Sequence, residues 1–150
     1  MVFADRHDAG RQLAGMLSSF RDARPIVLAL PRGGVPVAVE VARALDAPLD
    51  VLVVRKLGAP ANPEFGIGAI AEGGTAVVDR RMARHLDVTP AALELALDLH
   101  TRALARLTSL VRAGTAASRP ARPPAVICVD CTATGHTTAA VRLQTPTPPP

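Results

Sequence analysis

The segment Ala125 to Thr138, AVICVDCTATGHTT, constrains this chain most: an apolar run closes on an acid, and a short loop leads into Thr134-Gly135-His136-Thr137. The run reads as a buried strand. A strand of this kind delivers a carboxylate at its C-terminal end, where ligands sit in open α/β sheets, and a Thr/Gly turn offers backbone N–H groups and hydroxyls to an anion. The segment also fits an ordinary strand followed by a Thr-rich helix start, because Thr and Gly supply caps and turns without any ligand.

A second loop repeats the arrangement. Ile26 to Leu30 reads as a buried strand, Pro31-Arg32-Gly33-Gly34 breaks it, and Val35 to Leu45 has helical apolar spacing. Two glycines let the backbone approach an anion closely, Arg32 supplies a forked cation, and the start of a helix adds a favourable partial charge. A tight strand-to-helix connection needs the same residues with no ligand, but two such loops in one chain exceed what turn statistics require. In a third stretch, Val51 to Val54 continues straight into Arg55 and Lys56, with a Gly/Pro/Asn loop to follow at Ala59 to Pro63. Lys56 is the only lysine among 17 basic residues. Cations placed together at the C-terminal edge of a strand would neutralise the charge of a bound anion; the bland alternative is a pair of solvated side chains.

The spacing Asp130-x-x-x-Thr134-Gly135-x-Thr137 resembles the phosphoribosyl pyrophosphate motif of type I phosphoribosyltransferases. In that motif four apolar residues precede two acids, three variable residues, Thr, Gly, any residue, and Thr or Ser. Asp130 falls on the second acidic position with Val129 on the first, or on the first with Cys131 on the second and a loop one residue shorter; either way one carboxylate is replaced. LPRGGVPVAVEVARAL and APLDVLVVRKLGAPANPEFGIGAIAEGG are similar to a bacterial subgroup of the family, from Phe3 to about Arg142.

The resemblance implies an α/β fold, a Rossmann-like parallel sheet flanked by helices, with a hairpin and helix hood inserted at about 57–115 of a domain spanning 1–142. It implies that Asp130 holds ribose, that Thr132, Ala133, Thr134, Gly135, His136, Thr137 and Thr138 hold the 5′-phosphate, and that Arg32, Gly33, Gly34, Arg55 and Lys56 hold pyrophosphate. Magnesium is implied with the substrate, and no protein metal ligand is named. The reaction would transfer a phosphoribosyl group to a nitrogenous base that the sequence does not identify. A non-catalytic module binding the same diphosphate or a nucleotide, or an inactive remnant, is the alternative.

Composition narrows the class. A chain of 150 residues, 49% hydrophobic, suits one domain with a core. Its apolar runs are short and interrupted by Pro, Arg or Asp, so no membrane span or signal peptide is expected and the cytoplasm is the default location. Cys128 and Cys131 have C-x-x-C spacing, but Cys128 falls inside a strand and no second pair completes a zinc site. The net charge is +4, yet the arginines are scattered and aromatic content is 2%, which argues against nucleic-acid binding.

The remaining elements follow from periodicity. A helix is expected from about Asp5 to Phe20, a single strand over 49–54, and a hairpin with strands Phe65 to Ile70 and Ala76 to Val78 around Glu72-Gly73-Gly74. Thr89-Pro90 begins a long helix whose Leu93, Leu97, His100, Leu104, Leu107 and Val111 form a packing stripe, on the hood or in a homodimer. His7 and His85 are expected at the surface, and His136 either faces phosphate or solvent. Gly114 to Pro124 is a connector. A helix is expected after the motif, giving way within two turns to a Pro-rich tail, 143–150, expected to be disordered. The fold is thus expected to be incomplete at its C-terminus, with three core parallel strands and an exposed sheet edge.

Overall fold

The computed structural model describes residues 3–113, 125–131 and 137–143. Its contacts divide the chain into two compact units, Met1–Leu52 with Ala117–Pro150, and Val53–Ala116.

The first unit is built on a sheet ordered β2-β1-β6-β7, comprising β1 (Ile26–Ala29), β2 (Leu49–Val51), β6 (Ala125–Cys131) and β7 (Thr137–Leu143). β1 pairs in parallel with β2 on one side and β6 on the other, so the three expected parallel strands are present. Helix α2 (Gly34–Leu45) follows β1. Its Val37, Ala38, Val41, Ala42 and Leu45 recur at helical spacing and are buried against β1 and β6. Pro36 costs no hydrogen bond there, because amides of a first helical turn have no partner within the helix. Along β6, Ala125, Ile127 and Val129 are fully buried while Val126, Cys128 and Asp130 are half-buried. This is the period-2 alternation of a strand with one face on the core.

Helix α1 (Arg6–Met16) packs on α2, capped by Asp5, whose carboxylate accepts the Asp8 amide at 2.7 Å. The expected helix to Phe20 stops sooner: Leu17 closes α1 and residues Ser18–Ala23 tighten into a 3-10 turn ending at Arg24, φ 47°. The helix expected after the motif is replaced by β7, which runs antiparallel to β6 from Cys131↔Thr137 to Ala125↔Leu143. Seven paired positions outweigh the local helical preference of alanine and leucine, and Thr137, Thr138 and Val141 suit a pleated ladder. β7 thus lies beside β6 and is itself an edge strand of the sheet as described.

The second unit holds a sheet ordered β3-β4-β5, comprising β3 (Val54–Ala59), β4 (Asn62–Ala71) and β5 (Ala76–Val78), with helices α3 (Arg80–His85) and α4 (Pro90–Ala113). The strands are antiparallel, and the β4–β5 turn passes through Gly73 and Gly74 at φ 85° and 84°, a region glycine enters at little cost. The single strand expected over 49–54 is two. Leu52 N–H donates to Ala29 O at 2.9 Å and closes the first ladder, whereas Val53 O accepts Glu72 N–H at 2.9 Å and opens the second. Helix α4 begins as expected, with Thr89 Oγ1 accepting the Ala92 amide at 3.2 Å. Leu93 and Leu104 are buried as its stripe predicts, but Leu107 is 43% exposed.

Candidate functional site

Within the first unit, two motifs far apart in sequence meet at the carboxyl ends of β1 and β6. The register pairs Ala29 with Val129, and Leu30 N–H donates to Val129 O at 2.9 Å. The chain then turns through Pro31, Arg32 and Gly33, with a cis Pro31–Arg32 peptide bond, and Gly34 N–H returns to Leu30 O at 3.0 Å. Gly34 opens α2 directly over the end of β6. A Cβ at this position would stand 2.6 Å from Val129 O and 3.4 Å from Asp130 Cα, so only glycine permits the approach. The turn and the acid-ended strand are consequently neighbours.

Each component has a definite chemical capacity. Arg32 is exposed and Gly33 half-exposed at the start of a 12-residue helix, whose dipole favours an anion, although the Gly34 and Val35 amides are taken by Leu30 O and Arg32 O and Pro36 has none. Asp130 is half-buried on the face of β6 opposite Val129. Beside it Cys128 is half-buried, and burial first, then the Asp130 charge, push its thiol above the ordinary value. It is a protonated thiol at neutral pH rather than a nucleophile.

Among the motif residues, Thr137 and Thr138 open β7 opposite Cys131 and Asp130. Thr132, Ala133, Thr134, Gly135 and His136, expected to surround a 5′-phosphate, lie outside the described residues.

Arg55 and Lys56, expected at the end of a strand, instead sit near the start of β3 in the second unit. They line a pocket of about 460 Å³ formed with α4 and the β3–β4 turn. Arg55 Nε–H donates to His100 Nδ1 at 3.0 Å, and Lys56 Nζ donates to the Glu64 carbonyl at 3.0 Å. His100 is therefore a partner of a site cation rather than simply a packing residue. The sequence reading missed Leu95 and Leu99, which also line this pocket. The available signal was two leucines four residues apart, off the buried stripe. His7, expected at the surface, is exposed and bonds Glu40 at 2.9 Å.

No group of three His, Cys, Asp or Glu side chains positioned to hold a metal occurs among the described residues. A single carboxylate such as Asp130 suits magnesium that arrives already bound to substrate phosphates, because that ion keeps its waters and takes few protein ligands. No helix among the described residues is long and apolar enough to cross a membrane.

A sheet with three parallel strands, flanked by helices and carrying a glycine turn set against an acid-ended strand, defines a protein of the open α/β class, in which ligands sit at strand ends. The phosphoribosyl transferase domain matches residues 5–141, and the chain belongs to that family. Relatives from two Mycobacterium tuberculosis strains, CDC 1551 / Oshkosh and ATCC 25618 / H37Rv, each named "Putative phosphoribosyl transferase", are 54% identical over 93 residues, 62% of this chain and 21% of theirs. The chain thus spans about a fifth of the length of these relatives. The crystal structure of TT1426 from Thermus thermophilus superposes with a TM-score of 0.65 at 42% identity, over 81% of this chain and 58% of that one.

Proposed function

We propose that the first unit binds phosphoribosyl pyrophosphate with magnesium and supports transfer of its phosphoribosyl group to a nitrogenous base. In that reaction a bond forms between the base nitrogen and C1 of the ribose, the C1–oxygen bond breaks, and the electron pair leaves with pyrophosphate. Arg32, Gly33 and Gly34 hold the departing pyrophosphate, Asp130 accepts hydrogen bonds from ribose hydroxyls, and Thr132 to Thr138 hold the 5′-phosphate. Magnesium offsets phosphate charge when bound. The protein's own contribution is positioning, which fixes C1 for attack. Arg55 and Lys56 carry the same expectation of an anion in the Val53–Ala116 unit.

The observation that supports this reading is the approach of Gly34 to Val129 and Asp130, which makes the Pro31–Gly34 turn a neighbour of the acid-ended strand. Family membership and the relatives' names support it. One observation favours binding without turnover: Val129 is apolar and 0% exposed, so β6 offers Asp130 as its only carboxylate.

Calorimetric titration of the full chain with phosphoribosyl pyrophosphate and magnesium tests the proposal. Binding should weaken by about tenfold or more in Arg32→Gln and in Asp130→Asn, each of which removes a charge-assisted hydrogen bond, about 1.4 kcal/mol being tenfold. Unchanged affinity in both variants would refute the assignment of these residues. Pyrophosphate release with a panel of bases then separates transferase from binding module.

A further inference from the structure

Helix α4 has two faces of opposite character. Its Leu93 and Leu104 are buried where it packs on β3 and β4. Away from that packing, two rows at four-residue spacing run side by side along the helix surface. One is apolar, Ala91, Leu95, Leu99, Ala103 and Leu107, and its leucines are 61%, 58% and 43% exposed. The other is charged, Glu94, Asp98, Arg102 and Arg106, all of them exposed. Nine large hydrophobic residues are exposed among the described residues; four of them, Leu110 included, lie on α4, while the other five are scattered over five different elements. The apolar surface is thus gathered on this one helix.

The order of residues in both rows is self-complementary in a single orientation. The charged row reads two acids and then two cations, centred at residue 100. A second copy of α4 lying antiparallel sets Glu94 against its Arg106 and Asp98 against its Arg102, whereas a parallel copy sets like charge over like at all four positions. The apolar row, centred at Leu99, then meets itself with Leu95 against Ala103 and Leu107 against Ala91, a large side chain against a small one on either side of the centre. The two centres differ by one residue, about 1.5 Å along the axis. Within one copy Arg102 already reaches Asp98 at 2.9 Å, but these side chains are 76% and 53% exposed, so water screens the pair. Antiparallel association places each Asp98 between two guanidinium groups.

We propose that this face of α4 joins two copies of the chain, antiparallel about a twofold axis beside Leu99. Covering Leu95, Leu99 and Leu107 of both copies removes apolar surface from water, and the charge order fixes direction and register. The proposal stands independently of phosphoribosyl binding in the first unit.

Sedimentation equilibrium of the full chain over a concentration series tests it, and a reversible dimer of twice the chain's mass is expected. Leu99→Asp sets two carboxylates together at the axis and should weaken association by about tenfold or more, about 1.4 kcal/mol being tenfold. Glu94→Arg and Arg106→Glu should each weaken it as well, since either change opposes like charges at two symmetric places. Both changes in one chain should restore association, because opposite charges meet again. Positions 94 and 106 are about 18 Å apart along one helix, so that recovery reads contact between copies. All three side chains are exposed, and a thermal melt confirms that each variant folds. A chain that stays monomeric throughout the series overturns the proposal and leaves this face to a different protein. A dimer indifferent to Leu99→Asp, or a double reversal that associates no better than the single ones, also overturns it.

Discussion

At the scale of residues, Val129 and Asp130 show how a single strand position divides structure from chemistry. Val129 points into the α2 core at 0% exposure, while Asp130 faces the other side of the sheet, half-buried. Restoring a second acid by Val129→Asp therefore buries an unpaired carboxylate, and its expected cost of several kcal/mol should show as a loss of cooperative melting rather than as a gain of turnover. A variant that melts like the parent would contradict the placement of Val129. Cys128 supplies a second residue-scale test. Because burial and then the Asp130 charge raise its pKa, alkylation read at Cys128 by peptide mass spectrometry should be slow at pH 7 and accelerate only into alkaline solution. Asp130→Asn removes the lesser cause, so the profile should move toward lower pH; rapid modification of the parent at pH 7 would refute the assignment.

Among the elements, α2 and the core strands were legible because each writes one period on the sequence. Val37, Val41 and Leu45 recur at helical spacing, and Ala125, Ile127 and Val129 alternate. The break between β2 and β3 was not legible, since Val51 to Val54 is uniformly apolar and only hydrogen bonding shows that Leu52 belongs to one sheet and Val53 to the other. β7 was missed for a different reason: its alanines and leucine favour a helix locally, and pairing with the neighbouring β6 overrides that preference. The start of α4 was legible from Thr89-Pro90, where a hydroxyl meets the Ala92 amide. Thr89→Ala should lower stability by about 1 kcal/mol in denaturant unfolding, and a change near zero would mean the cap is inert.

Across the whole molecule, the sequence placed the motif residues but could not show which unit each would join. Arg32, Gly34 and Asp130 fall in the first unit, whereas Arg55 and Lys56 fall in the second with His100. The second unit carries its own tie, since Arg112 grips both Glu72 oxygens at 2.8 and 3.0 Å and joins the end of α4 to the residue after β4. These side chains are only 22% and 10% exposed, so solvent screens the pair weakly. Glu72→Gln should cost about 1.5–3 kcal/mol, the range for hydrogen bonds to charged groups, and an unaltered unfolding midpoint would show the pair to be dispensable. The central claim concerns the first unit. A thermal melt of the full chain with magnesium tests it most directly, comparing phosphoribosyl pyrophosphate with ribose 5-phosphate and with pyrophosphate. A ligand that binds the folded state adds about 2.7 kcal/mol at a hundred times its Kd, so the diphosphate ester should raise the midpoint above either fragment. A midpoint unmoved by the ester at millimolar concentration would contradict the account.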